Sequence, residues 1–368
     1  MRMANSALNP ANRLGLDYHA EALALGSPVV PIIDAHAHIN GRSASPVFAE
    51  IMDLFGIDEI WSMTTLEDIP AIRKALGGRF RPIAMPKFNS DDLIHAMGAG
   101  FIEELPRFRD EGCQLAKFWA APRSVEIAEK AGVPGYLHID HPSRLECMDS
   151  AVGLGMGLMF HIADPDTWFQ SKYTDSTRYG TKREQYEPLE MILQRYEHTP
   201  VLVAHMGGWP ENLPFLSELL SKHPNLHLDS SATKWMIREL SKHPREEIIA
   251  FLTTHGDRIL FGSDQVTMDD HLKSAFDDGT RAEMANKANS TETAKDLYAS
   301  RYYALRTFWE TSHCGESPIA DPDLAMIDPK NHTPMDAPQL VGKSLPNDLL
   351  KTLYQDAAVA LTSRLEAL

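Results

Sequence analysis

The chain has 368 residues, of which 43% are hydrophobic and 23% are charged. These values are typical of a folded globular protein and argue against extended disorder. The formal net charge is −16, which repels phosphate backbones and argues against a nucleic-acid partner, although not against a small anionic substrate. No stretch approaches the roughly 18 apolar residues that a membrane helix needs, so we expect no membrane partner.

The three cysteines are Cys113, Cys147 and Cys314. They show no CxxC spacing and cannot form a disulfide framework, which fits a reducing compartment. The first 30 residues lack a basic segment followed by a sustained apolar run. The sequence therefore predicts a cytoplasmic location.

Eight short apolar runs alternate with longer helical patterns such as Ser143–Leu154. The predicted strands are Pro31–Ile39, Glu59–Thr65, Phe80–Phe88, Cys113–Ala120, Gly157–Ala163, Pro200–Gly207, Leu226–Ser231 and Ile259–Val266. This alternation predicts an α/β protein with a (β/α)8 TIM barrel. An open doubly wound sheet is the competing architecture, but no GxGxxG or GxxxxGK[ST] motif follows a strand.

We expect three parts along the chain. Residues 1–29 read as an N-terminal arm with one short helical piece, and residues 30–312 as the barrel. Residues 313–368 form a helical C-terminal extension that packs on the barrel, with a final helix from about Asn347 to Leu365. The polar connection Trp168–Tyr186 follows the fifth strand, and we expect it to lie over the carboxyl end of the barrel.

The first strand carries two histidines, His36 and His38, in the run IIDAHAHI. Residues two apart on a strand project to the same face, so both imidazoles can point together into the barrel. Neutral imidazole is a good ligand for Zn²⁺ and related ions. A pair of histidines alone is weak evidence for a metal site.

Three further polar residues stand at the ends of later strands: His161 in GLMFHIAD, His205 in VLVAHMGG and Asp264 in ILFGSDQV. The carboxyl ends of the strands are where a barrel assembles its active site. Core histidines bonded to the backbone are the plainer alternative. With the histidine pair, the set points to a metal centre.

The motifs DAHAHIN, AHMGG and LFGSD resemble the metal-dependent amidohydrolase superfamily, in particular the branch that includes aminocarboxymuconate semialdehyde decarboxylase. The resemblance runs from about Ile32 to Phe308. It implies that His36, His38, His161 and Asp264 bind one Zn²⁺, with Mn²⁺ as a substitute. It also implies that His205 is an acid/base or substrate-polarising group, and it suggests a homodimer.

The chemistry of the residues agrees with these roles. Asp264 can collect the proton of an attacking water, and His205 can hydrogen-bond a substrate oxygen or return a proton. The sequence thus predicts a hydrolase acting on a small amide- or ester-like substrate. The alternative is a non-oxidative decarboxylase of a small aromatic or muconate-like acid, and a third possibility is a non-enzymatic metal-binding protein.

Five residues are predicted to contact the substrate. Lys117 on the fourth strand is interpreted as a substrate-facing cation, although in binuclear amidohydrolases a carboxylated lysine on this strand bridges two metals. Arg42 in the first loop could bind a carboxylate, Trp119 and Trp168 could wall a pocket, and Lys234 could reach the mouth of the barrel.

Other polar residues are given less specific roles. Asp34 either orients the first strand or a ligand, or is structural at the base of the barrel. Four histidines in helical or linker stretches are expected at the surface: His95, His223, His243 and His255.

Overall fold

The computed structural model describes residues 9–88, 90–273 and 288–368. Its strands are β1 (Ile32–Ile39), β2 (Ile57–Met63), β3 (Phe80–Ile83), β4 (Leu115–Trp119), β5 (Gly157–His161), β6 (Val201–Val203), β7 (Leu226–Asp229), β8 (Ile259–Leu260), β9 (Gln265–Thr267), β10 (Cys314–Glu316) and β11 (Gln339–Val341).

Helices connect nearly all of the barrel strands. The α-helices are Tyr18–Leu25, Ala44–Phe55, Ile69–Leu76, Leu93–Met97, Ala99–Asp110, Ser124–Lys130, Pro142–Gly153, Asp166–Ser171, Ser176–Tyr179, Tyr186–Arg195, Ala204–Gly207, Leu213–Lys222, Thr233–Leu240, Arg245–His255, Thr291–Glu310, Asp323–Ile327, Asn347–Lys351 and Ala357–Glu366. Short 3-10 helices lie at Gly77–Arg79, Arg183–Gln185, Gly256–Arg258 and Asp269–Leu272, and a π-helical turn spans Thr352–Asp356. Among the described residues, no helix has both the length and the apolar character to cross a bilayer.

The barrel strands form two parallel sheets, ordered β3-β2-β1-β9 and β4-β5-β6-β7-β8. Backbone hydrogen bonds cross both seams between the sheets. At one seam Ala84 N donates to Leu115 O (2.9 Å) and Lys117 N donates to Ala84 O (2.8 Å). At the other, Ala35 N donates to Phe261 O (2.9 Å). Strands β1 to β8 therefore surround one interior with helices outside them, and the predicted (β/α)8 barrel is confirmed.

All eight predicted barrel strands are present. Seven of them are shorter than predicted, and β2 keeps its predicted length but begins two residues earlier. Strand β6 ends at Val203 because His205 has a left-handed backbone (φ 59°). The predicted eighth strand is divided into β8 and β9 by a turn in which Asp264 also has a positive φ (56°). A left-handed residue interrupts an extended strand, and side-chain patterns in sequence do not reveal where such residues fall.

The amino end of the barrel is covered by the C-terminal helix Ala357–Glu366. Its buried residues Leu361 and Leu365 pack in one apolar cluster with barrel residues that include Leu115 and Leu202. Leu365 also lies against Gly157, the first residue of β5. The opposite, carboxyl end of the barrel is thus the end left for a functional site.

Replacing Leu361 with alanine should destabilise the whole barrel. The side chain is completely buried, so its removal leaves a cavity and should cost about 2–5 kcal/mol. Val359 on the same helix is 50% exposed, and Val359→Ala should change stability by less than about 0.5 kcal/mol. Urea unfolding measures both. Equal losses in the two variants would show that the helix does not close the barrel.

The expected surface location is wrong for His223 and His255, which are 4% and 3% exposed. Each ends or follows an amphipathic helix whose apolar face carries it inward; His255 Nε2 lies 2.7 Å from Ser217 Oγ. Burial lowers the pKa of both imidazoles because it disfavours the charged form. His95 is exposed, as expected.

The variant His255→Gln should make folding stability less dependent on pH. Below the ordinary histidine pKa of about 6.5, His255 binds a proton in the unfolded chain but not in the folded chain. Folding stability therefore falls as the pH drops through this range. Glutamine can keep a hydrogen bond to Ser217 without titrating. Unfolding curves between pH 7 and pH 5 should therefore show a shallower loss than in the unmodified chain. The exposed-site control His95→Gln should keep the original slope. If both variants lose stability with the same slope, His255 does not contribute to the pH dependence.

Candidate metal centre

Three of the predicted ligands converge at the carboxyl end of the barrel. Asp264 Oδ1 lies 3.6 Å from His36 Nε2 and 3.4 Å from His38 Nε2. One ligand atom from each residue lies within 4.8 Å of the other two. Metal–ligand bonds of about 2.0–2.2 Å separate two ligands of one ion by roughly 3.0–3.6 Å. Two imidazoles and a carboxylate at these spacings fit a divalent ion.

The orientation of His36 is set by a carboxylate that the sequence analysis did not single out. His36 Nδ1 lies 2.8 Å from Asp229 Oδ2 and 3.0 Å from Ser231 Oγ. A proton on Nδ1 donated to Asp229 leaves the lone pair of Nε2 facing Asp264, which is the arrangement by which a carboxylate orients a metal-binding histidine. The signal in the sequence was an acidic residue that closes the apolar strand LHLD.

Asp229 is engaged by several donors at once, which distinguishes it from Asp264. Its Oδ1 accepts from the backbone N–H groups of His205 and Ser231, each at 3.0 Å, and from Ser231 Oγ. Burial opposes ionisation, but His36, His205 and Ser231 together outweigh it and hold the pKa of Asp229 below its usual range. Asp229 could itself form a ligand group with His36 and His205. Because Asp229 already accepts hydrogen bonds from these donors, we favour an orienting role over that of a metal ligand.

Asp34 ties together the two segments that carry the ligands. Its Oδ1 accepts from His36 N (3.1 Å) and Ser263 N (3.0 Å), and its Oδ2 accepts from Ser263 Oγ (2.5 Å) and Tyr302 Oη (2.8 Å). Burial raises the pKa of Asp34 to about 7. Of the two roles predicted for Asp34, these contacts support the positioning of ligand-bearing backbone.

His205 lies beside the three converging ligands. Its ring centroid is 4.9 Å from that of His36, and its Nδ1 lies 2.7 Å from Ser231 Oγ. Desolvation by burial, together with the neighbouring histidines, lowers the pKa of His205 well below its usual value. The imidazole is therefore neutral and is held by a hydroxyl on one side, as an acid/base or polarising group requires.

The structure does not bring His161 into the converging set. His161 Nε2 lies 3.1 Å from Asp164 Oδ1, and its Nδ1 lies 3.2 Å from His205 Nε2. Asp164 also accepts from Tyr173 Oη at 2.7 Å. His161 thus connects His205 to a buried hydrogen-bonded pair, and its role as a fourth metal ligand stays a prediction.

Lys117 is buried in the barrel, and in the described part of the chain its Nζ has no hydrogen-bond partner. Burial lowers the pKa of Lys117 to about 8, while the carboxylates of Asp229 and Asp264 act in the opposite direction. A solvent-exposed lysine is thereby excluded. Both roles proposed for Lys117, a substrate-facing cation and a carboxylated bridge, stay predictions.

Two other predicted substrate contacts lie around the mouth at different depths. Arg42 is 69% exposed, with its Nε 3.9 Å from Asp68 Oδ1. Trp119 ends β4, and its ring centroid lies 6.2 Å from that of His161. Trp119 therefore stands nearer to the centre than Arg42.

The last two predicted substrate contacts, Trp168 and Lys234, point to different parts of the protein. Trp168 Nε1 donates to Asp323 Oδ2 (2.9 Å), which turns the indole toward the C-terminal extension. Lys234 lines a cavity of about 190 Å³ together with Asp264 and Arg301. Arg301 was not among the predicted site residues.

Ion pairs and hydrogen bonds join the connection after β5 to residues beside the candidate site. Lys182 is buried, and its Nζ lies 2.7 Å from Asp166 Oδ1 and 3.3 Å from Glu211 Oε2. Glu211 Oε1 accepts from Trp235 Nε1 (2.9 Å), and the ring of Trp235 lies 6.1 Å from that of His205. These contacts support the prediction that this connection lies at the carboxyl end of the barrel.

Asp229→Asn should weaken metal binding without removing a ligand of the converging set. An amide cannot match the carboxylate that orients His36, and loss of such a partner typically costs about 10- to 100-fold in metal affinity. Competition with a chromophoric chelator measures the change. Asp58→Asn, at an exposed aspartate on β2, is the matched control and should bind metal like the unmodified chain. Unchanged affinity in Asp229→Asn would remove Asp229 from the site.

Comparison with solved structures finds distant likenesses. An uncharacterised TIM-barrel protein from Bordetella bronchiseptica is 14% identical, with 91% of this chain and 99% of that one covered and a TM-score of 0.46. A 5-carboxyvanillate decarboxylase from Novosphingobium aromaticivorans, solved with bound manganese, is 12% identical over 76% and 97% of the two chains, with a TM-score of 0.41. A probable 2-pyrone-4,6-dicarboxylic acid hydrolase from Acinetobacter baumannii is 11% identical over 81% and 99%, with a TM-score of 0.40. The comparison with curated proteins gives no significant match.

The family described as Amidohydrolase matches residues 93–295, which is more than half of the chain. The matched region contains His161, His205 and Asp264, whereas His36 and His38 precede it. The convergence of the two β1 histidines with Asp264 is therefore an observation separate from the family match. The chain belongs to the amidohydrolase family.

Proposed function

We propose that the protein is a metal-dependent hydrolase that cleaves a small amide- or ester-like substrate at the carboxyl end of its barrel. The observation that carries this proposal is the convergence of His36 Nε2, His38 Nε2 and Asp264 Oδ1. The family match supports an enzyme of this superfamily.

We propose that these residues hold one Zn²⁺, for which Mn²⁺ could substitute. Two imidazole nitrogens and a carboxylate oxygen suit zinc and its neighbours among divalent ions. Such an ion, when bound, polarises a substrate carbonyl and lowers the pKa of water toward neutrality.

Asp264 is assigned the role of proton acceptor. Against the effect of desolvation, His38 and His36 hold the pKa of Asp264 well below its usual value, so the carboxylate is ionised. Its side chain is 32% exposed and so reaches the open mouth of the barrel. It can therefore take the proton that water loses on attacking a carbonyl carbon.

His205 is assigned to the leaving-group side of the reaction. It sits next to the converging ligands with a neutral ring, and Ser231 holds its Nδ1. From there it can hydrogen-bond the substrate oxygen. After it has taken over the proton that Asp264 accepts from water, it can return that proton to the departing nitrogen or oxygen as the bond to carbon breaks.

A second candidate is non-oxidative decarboxylation of a small aromatic or muconate-like acid. The observation that favours it is the pair of cations, Lys234 and Arg301, on the same cavity as Asp264. In this reaction the bond between the carboxylate carbon and the carbon that bears it breaks, carbon dioxide leaves, and a proton takes its place on the bearing carbon. We assign the delivery of that proton to His205, which must first take up a proton because its ring is neutral.

We also propose a cytoplasmic location and a homodimer. The cysteines are unpaired, with Cys113 and Cys147 buried and Cys314 exposed, which supports a reducing compartment. The segment from Glu316 onward is the proposed contributor to the dimer. Size measurement of the full-length chain over a range of protein concentrations tests the dimer.

The two reactions are separated by product analysis. Purified protein loaded with Zn²⁺ or Mn²⁺ is incubated with small amides, lactones and esters, and separately with aromatic and muconate-like acids. Mass spectrometry distinguishes addition of water from loss of carbon dioxide. We expect about one metal per chain, whereas a value near two would assign Lys117 to a bridging role. Full metal content without turnover of any compound would favour the non-enzymatic metal-binding protein.

His205→Gln should separate catalysis from metal binding. Glutamine cannot exchange a proton near neutral pH, so kcat should fall by roughly 10²- to 10⁴-fold for whichever substrate is turned over. The metal content should stay that of the unmodified chain, because His205 is not in the converging set. His95→Gln, at an exposed helix residue, should keep both properties. Loss of the metal in His205→Gln would make it a ligand instead.

A further inference from the structure

A cavity of about 190 Å³ opens beside the converging ligands. It lies between the turn that carries Asp264, the start of helix Thr233–Leu240 and helix Thr291–Glu310. Lys234 and Arg301 face it from the two helices. Its volume suits a compact ligand, such as one ring or a short chain.

The acidic and basic groups of the cavity are not paired evenly. Its charged lining consists of three carboxylates and three cations, so their formal charges cancel. Asp321 and Asp323 are both engaged by Arg238, whose Nη1 contacts Asp321 Oδ2 and lies 3.1 Å from Asp323 Oδ2. Asp323 accepts in addition from Trp168 Nε1. Among the described residues, neither Lys234 nor Arg301 forms an ion pair with these two carboxylates.

Neither Lys234 nor Arg301 forms an ion pair within the described ranges of the chain. The hydrogen bond of Arg301 runs from its Nη1 to the backbone oxygen of Leu297 at a long 3.4 Å. Desolvation lowers the pKa of each side chain, while the charge of Asp264 opposes this shift for Arg301 and that of Asp321 opposes it for Lys234. Partly buried cations without a partner are costly, and an anion placed between them would recover part of that cost.

The backbone adds to the attraction for an anion. Lys234 is the second residue of helix Thr233–Leu240, and the N-cap position is Ala232, which provides no side-chain cap. Uncapped N–H groups and the helix dipole favour negative charge at this end of a helix. Ala232 and Thr233 line the same cavity as the two cations.

We infer that this cavity binds a carboxylate of the substrate between Lys234 and Arg301, with the rest of the molecule directed toward Asp264. The planar fork of one guanidinium matches a carboxylate, and the small volume favours it over a bulkier anion. A divalent ion at the neighbouring ligands would make the region net positive, which further favours an acid as substrate. The inference rests on the proposed function for the reaction, but carboxylate binding does not require turnover.

Calorimetric titration of the full-length, metal-loaded chain with benzoate tests the inference. Loss of one charge-assisted hydrogen bond should weaken benzoate binding by about tenfold or more in Arg301→Gln and in Lys234→Met. The controls are Lys295→Met on the helix of Arg301 and Lys242→Met just after the helix of Lys234. Both control lysines are exposed, at 42% and 65%, and both variants should bind benzoate like the unmodified chain.

Two further titrations identify which groups bind benzoate. Benzamide, the neutral analogue, should bind at least about tenfold more weakly than benzoate, since it lacks the charge that both cations recognise. Repeating the titration after removal of the metal separates the cavity from direct contact with the ion, and dependence on the two cations should persist. Should Arg301→Gln fail to fold, Arg301→Lys keeps the charge and should retain more benzoate affinity than Lys234→Met.

The inference is overturned if benzoate affinity is the same in Arg301→Gln, Lys234→Met and the unmodified chain. It is also overturned if benzamide binds as tightly as benzoate, or if inorganic phosphate binds more tightly than benzoate. Benzoate binding that depends on both cations in a chain without turnover would retain this site and reject the proposed function. Turnover in a chain whose benzoate affinity does not depend on Lys234 or Arg301 would retain the proposed function and reject this site.

Discussion

One buried carboxylate, that of Asp34, links the two chain segments that present the candidate metal ligands. It accepts hydrogen bonds from the backbone of His36 on β1 and from the backbone and hydroxyl of Ser263, which precedes Asp264. Tyr302 on the long helix Thr291–Glu310 holds its other side. The distance between the β1 histidines and Asp264 therefore depends on the hydrogen bonds that Asp34 accepts from both segments.

The carboxyl end of the barrel also concentrates unusual backbone conformations. Three residues that follow barrel strands, His205, Ala232 and Asp264, have φ values of 59°, 67° and 56°. Left-handed conformations cost side-chain-bearing residues on the order of 1–3 kcal/mol each and persist where the surroundings hold them. Here the holding interactions are visible, since His205 N donates to Asp229 and Asp264 N donates to the backbone oxygen of His36. The strain turns these residues out of their strands and toward the mouth of the barrel.

Charge is distributed very differently at the site and over the whole chain. The net charge of −16 would by itself disfavour an anionic substrate at long range. Within the cavity, however, Asp321 and Asp323 both pair with Arg238, while Lys234 and Arg301 form no ion pair among the described residues. Short-range, partly desolvated charges dominate over a screened acidic surface, because screening acts mainly on exposed and distant groups. An acidic protein can therefore bind an acid at this mouth.

The sequence by itself determined the order of the barrel strands, the paired histidines of β1 and the strand-end positions of His161, His205 and Asp264. These features are written in short-range patterns: apolar runs of strand length, a spacing of two, and polar residues where those runs stop. Tertiary structure alone decided that Asp229 orients His36, that His161 turns to Asp164 and His205, and that Arg301 shares a cavity with Lys234. Each of these contacts except that of His161 with Asp164 joins residues far apart in the chain, and the rotamers and left-handed turns that create them leave no periodic trace. Local patterns indicate which face of a strand a residue takes, but only the folded barrel determines which residues meet there.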